Sequence, residues 1–213
     1  NTEAIQWMGS YRLLNGELDA AEGLCARILE KQPLYDPARL NLARILLEKG
    51  DLKGAIRELA KILERDPGNS YTLLKMATAI IAKRDLAEAR RLLDAIPAEG
   101  RKNYDVEMTT CILLALEGKP GEARKAVSAG ALKYAALSPF ATLTATEIFA
   151  LLGEQETALE WLERAVHNGD ERIEWFERDP LLVSIRGLPR FKQIIDSSAF
   201  RRGQSSPEGD IKR

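Results

Sequence analysis

Residues suited to proton transfer and metal ligation are scarce in this chain, which carries one histidine and two cysteines in 213 positions. It also lacks an H-E-x-x-H pair, a serine elbow, a glycine-rich phosphate loop and an aspartate-glycine calcium loop, the spacings that would place a zinc, a nucleophile, a phosphate or a calcium ion. No apolar run approaches the roughly 18 residues that a bilayer demands, so no membrane span lies in this sequence. An excess of either sign of charge is missing as well. A formal charge of -1 argues against a dedicated nucleic-acid binder, which shows a basic excess on one face. Cys25 and Cys111 fall at helical core positions, not in a C-x-x-C pair. They read as small buried apolar residues and leave the compartment open.

What the chain does have is a helical pattern that repeats. Charged residues make up 30% of it, with Leu, Ala, Glu, Lys and Arg dominant, a balance that leans towards helix. The clearest unit runs from Asp36 to Pro67. Leu42, Ala43 and Leu46 share one face of a first helix, and Ala43 lets a neighbour approach closely. Gly50 can take the left-handed conformation that ends a helix, and Asp51 can accept from the free N–H groups opening the next. Ala55, Leu59 and Ile62 continue the stripe until Asp66-Pro67-Gly68-Asn69 stops it. One such hairpin leaves an apolar side uncovered, so it must stack on another.

Copies begin near Thr2, Asp36, Ser70, Tyr104 and Pro139, about 34 residues apart. The first keeps Trp7, Met8, Gly9, Gly16, Ala21, Cys25, Ile28 and Pro33. The third has Leu73, Ala77, Ile80, a Lys83-Arg84-Asp85 turn and Ala89, and Pro97 cuts its second helix short before a polar connection. The fourth has Cys111, Leu114, the Gly118 turn, Ala123, Val127 and Gly130; the fifth has Ala145, Phe149, the Gly153 turn, Ala158, Leu162 and Ala165.

This rhythm of a large residue, a small one, a Gly-Asp-type turn, Ala and Pro resembles the tetratricopeptide repeat, with Arg12 standing where an aromatic is expected. The resemblance implies an all-α right-handed superhelix, an α-α solenoid of about five hairpins over residues 1–169 (about 2–35, 36–69, 70–103, 104–138 and 139–169). Trp175, Phe176, Leu181, Leu182, Ile185, Phe191, Ile194 and Ile195 supply enough apolar mass for a cap of one to three short helices over 170–197. The segment Ala158–Ala165 followed by Trp175–Phe191 resembles the ending of bacterial arrays, which are often fused behind a kinase, a winged-helix regulator or a cyclase. Residues 198–213, polar and rich in Gly and Ser, read as a disordered tail.

Nothing in the pattern assigns catalysis, a metal or a cofactor. His167 sits near a helix end, where a cation meets free carbonyls. Glu154 and Glu156 belong to a turn and helix start, and Trp161 to the second-helix stripe. Binding is the better reading, because stacked hairpins line a concave wall with their first helices. The resemblance assigns that wall Gln6, Leu40, Leu74, Met108 and Leu143, then Asn41, Lys75, Thr109 and Thr144, then Arg44, Thr78, Ile112 and Glu147. An apolar strip with polar edges suits an amphipathic helix or an extended peptide of a protein partner; packing between adjacent first helices is the other reading of the same leucines. Family members that clamp an acidic chaperone C-terminus would need basic and amide groups at Gln6, Ser10, Asn41, Tyr71 and Lys75, and only Asn41 and Lys75 match. Two alternatives stand beside a binding module: a regulatory or sensory domain cut from a larger protein whose N-terminal part is missing, and a homo-oligomer assembled through the cap or groove.

Overall fold

The computed structural model describes residues 2–205, with side chains through 197. Five helical hairpins follow one another: α1 (Thr2–Leu14) with α2 (Leu18–Lys31), α3 (Asp36–Glu48) with α4 (Leu52–Leu63), α5 (Ser70–Ala82) with α6 (Leu86–Asp94), α7 (Tyr104–Leu116) with α8 (Pro120–Ala126) and α9 (Ala129–Ala135), and α10 (Pro139–Leu151) with α11 (Gln155–His167). The helix starts have local causes. The Asp51 carboxylate accepts from the Gly54 N–H at 2.9 Å and the Asn69 side chain from Thr72 N–H at 3.0 Å, while Pro37 and Pro139 sit in first turns, where the missing donor is not needed. Four of the five hairpin turns place a glycine at positive φ, Gly50 at 84° among them. The third instead forces Arg84 to 64°, a region where Cβ crowds the backbone.

Small residues recur at two registers, one in the first and one in the second helix of each hairpin, and hold the helices close. Ala21, Ala43, Ala55, Ala77, Ala89, Cys111, Ala123, Ala145 and Ala158 are all buried. Burial, then the nearby Glu22, pushes the Cys25 thiol up to about 11; burial, then Glu107, pushes Cys111 up to about 12. Both stay protonated and serve as packing groups.

The fourth hairpin departs from the expected pair. Its apolar stripe runs through Val127, yet the chain extends at Val127-Ser128 and a new helix begins, because the Ser128 hydroxyl accepts from Ala131 N–H at 3.0 Å while its own N–H donates to Glu107 Oε1 at 2.7 Å. Gly130 then passes so close to Tyr104 that a Cβ there would lie 2.7 Å from the phenol oxygen.

The cap has three helices, α12 (Ile173–Arg178), α13 (Val183–Arg186) and α14 (Pro189–Ser205). Phe176, Leu182, Ile185, Phe191, Ile194 and Ile195 bury against Leu159, Leu162 and Val166 of α11, and Trp161 stacks on Phe149 with centroids 6.5 Å apart. The third cap helix is long. No proline or glycine interrupts it before Gly203, and it runs on to Ser205, so 198–205 are helical where the sequence reading has a disordered tail begin; 206–213 lie outside the described residues.

The cap also does something its apolar pattern does not announce. Its leading segment crosses the concave side to the other end of the array, where Glu171 N–H donates to Leu14 O at 2.8 Å. Phe140 of α10 packs beside Leu13, Leu42 and Ile45 of the first two hairpins. The solenoid is therefore closed on itself.

Candidate functional site

That closure leaves a cavity of about 280 Å³ on the concave side, walled by α3, α5, α7 and α10 and roofed by the start of the cap. Of the groove residues assigned from sequence, Leu40, Asn41, Arg44, Lys75, Thr78, Thr109, Ile112, Leu143, Thr144 and Glu147 line it. Three do not. Leu74 and Met108 are 1% and 0% exposed, sealed in the core between hairpins, since in the middle of the array first helices press together at that register. Gln6 lies at the seam of α1 and α3, where its Nε2 donates to Pro37 O at 3.1 Å. Asn41 lines the cavity but already donates to Ser10 Oγ at 3.0 Å.

The walls include side chains that the first-helix register does not reach. Trp175, Pro180 and Leu181 come from the cap, Tyr71 and Phe140 from the first turns of α5 and α10. Lys75 Nζ stands 4.8 Å from the Tyr71 ring centroid. Arg44 Cζ lies 3.6 Å above Phe140, with Arg172 Cζ 5.2 Å from the same ring.

Behind Phe140 is a buried ion cluster. Arg172, 1% exposed at its side chain, donates through Nε and Nη2 to both oxygens of Asp170 at 2.8 and 2.6 Å, and through Nη1 to Glu48 Oε1 at 2.5 Å. Arg44 Nε donates to that same Glu48 oxygen at 3.3 Å. Burial alone would push Arg172 down, but Asp170 and Glu48 outweigh it and hold the guanidinium above its ordinary value. Arg44 is lowered, by burial and then by the Arg172 charge.

Two more carboxyls face each other beside this cluster. Burial, then the Asp179 charge, raises Glu147 well above the usual carboxylate range; burial raises Asp179 as well, against its bond from Leu181 N–H. The bond between them raises Glu147 and lowers Asp179, so it favours a proton on Glu147. The places of Arg172, Asp170 and Asp179 in the ion cluster, and of Trp175 in the cavity wall, escaped sequence reasoning because they sit in a segment that reads as a hydrophobic cover. The only signal for them was a charged run, DERIEWFERD, inside it. His167, by contrast, is an exposed residue in the last turn of α11.

Residues 12–71 and 46–108 match the model of the tetratricopeptide repeat. No curated protein matches the sequence. Among solved structures, the chain is similar to a thermophilic TPR protein of Thermus thermophilus (19% identity, TM-score 0.61, covering 84% of this chain and 96% of that one). It is also similar to pilF of Pseudomonas aeruginosa (16%, 0.53, 98% and 93%) and to a tetratricopeptide repeat protein of Parabacteroides merdae (13%, 0.55, 93% and 84%). At these identities the likeness is one of fold.

Proposed function

We propose that this chain, a tetratricopeptide-repeat protein, is a non-catalytic protein-binding module that takes an extended segment of a partner into its concave cavity. The observation that carries the reading is the composition of the walls: Leu40, Ile112, Leu143 and Leu181 beside Lys75, Tyr71 and Trp175, on the face where the hairpins converge. Lys75 is a cation held over an aromatic ring and joined to no carboxylate among the described residues. A cavity of about 280 Å³ has no room for an inserted helix about 10–12 Å across, so an extended chain with one or two anchoring side chains fits better.

The test is selection of peptides from a random display library on the folded chain, followed by fluorescence anisotropy. Lys75→Glu and Thr144→Arg, both at partly exposed wall positions, are expected to weaken selected peptides by about tenfold or more while leaving circular dichroism unchanged. Peptides that bind both variants as well as wild type would place recognition elsewhere.

Self-association is a second reading, favoured by one surface. Trp7, Met8 and Tyr11 are 75%, 51% and 62% exposed along α1 at the open edge of the array, an apolar face of the kind that marks an interface. Sedimentation at rising concentration, with Trp7→Ser beside wild type, decides it: a monomer throughout removes it.

A further inference from the structure

Two buried oxygens on the cavity wall lack an N–H or cationic donor among the described residues. Glu48 Oε2 has no hydrogen-bond partner there and Asp179 Oδ2 none beyond the Glu147 carboxyl, in residues that are 5% and 1% exposed and that both line the cavity. Beside Asp179, one helical turn earlier, the half-buried Trp175 presents a ring on which no aromatic or guanidinium stacks among the described residues. An enclosed acceptor without a donor is costly, so such atoms point to something that completes them.

Charge counting says what that is. Glu48, Asp170, Glu147 and Asp179 set four carboxyls against the guanidiniums of Arg44, Arg172 and Arg186, the last of which donates to Asp179 O. Lys75, Arg84 and Asp105 also face the cavity, from α5, the turn after it and α7. Taken by itself, the cluster around Arg172 is one positive charge short, and a proton on the Glu147–Asp179 pair supplies it. Among the described residues no group of carboxyls is arranged to hold a metal ion.

We propose that Glu147, Asp179, Glu48 and Trp175 form a subsite for one cationic side chain, an ammonium or guanidinium, carried by the partner segment. The inference rests on the groove reading above and adds its anchor. The cation sits over the Trp175 ring, donates to the free carboxylate oxygens and displaces the proton of that pair to solvent. Affinity for a basic residue therefore rises with pH as the pair loses its proton, and binding at lower pH releases protons.

The experiment uses the full chain and two capped tripeptides, acetyl-Leu-Lys-Leu-amide and acetyl-Leu-norleucine-Leu-amide, titrated calorimetrically from about pH 5 to about pH 8 in two buffers of different ionisation enthalpy. The lysine peptide is expected to bind about tenfold tighter than its neutral analogue near neutral pH, with proton release that the neutral peptide lacks. Glu147→Gln and Asp179→Asn, which keep the shapes and the Leu181 N–H bond, are expected to erase that preference without weakening the norleucine peptide. Equal binding of the two peptides overturns the subsite and leaves the groove standing. Binding of neither removes both.

Discussion

Arg172 and Glu48 are 124 positions apart, and Arg172 Nη1 lies 2.5 Å from Glu48 Oε1 with both side chains almost wholly enclosed. This pair, with Asp170 and the Glu171 N–H bond to Leu14 O, ties the cap to the first two hairpins. A solenoid normally transmits stability only between neighbours; here its two ends are joined.

Removing the cation should show it. Arg172→Met leaves Asp170 buried without its cation and Glu48 with Arg44 alone, and a loss of about 3–5 kcal/mol is expected in urea denaturation. Hydrogen exchange should rise in α1 and α3, far from the substitution in sequence. Lys102→Ala, in an exposed pair with Glu99, should change little.

The carboxyl pair makes stability depend on pH. Glu147 and Asp179 bind protons more tightly in the folded chain than when unfolded. Their contribution is complete below the ordinary carboxylate range and declines as pH rises through the raised folded values. Urea midpoints measured from acid to alkaline pH should therefore carry a falling component that Glu147→Gln removes.

The buried leucine register separates core from groove. Leu74→Ala is expected to cost about 2–5 kcal/mol, and Leu74→Glu or Met108→Glu to unfold the chain, since neither side chain meets the cavity. Lys75→Glu should keep the helical spectrum. A stable, fully helical Met108→Glu would contradict the packing described here.

Arg84 offers a gain. Its φ of 64° suits glycine, and Arg84→Gly is expected to stabilise the third hairpin by about 1 kcal/mol in thermal or urea denaturation, with Gly50→Ala losing a similar amount.

What was legible in the sequence was local. Gly50, Asp51, Pro97 and the recurrent alanines each act within a turn or two of their own position, so turns, helix starts and the hairpin count could be read directly. The break at Ser128 could not, because the apolar stripe runs on through it and its stabilising bond comes from Glu107, a hairpin partner 21 residues away. Leu74 and Met108 depart from the groove reading because one register faces the groove at Leu40 and the core in mid-array. The closure was hidden most deeply: nothing near Glu48 announces Arg172, and only the curvature accumulated over five hairpins brings them together.

The central claim, that a partner segment enters the concave cavity, is tested most directly by titrating isotope-labelled chain with a display-selected peptide and mapping amide and indole shifts. The account predicts that the largest changes fall on Lys75, Thr109, Thr144 and the Trp175 indole. Changes confined to the outer second helices or to Trp7 and Tyr11 of α1 would contradict it.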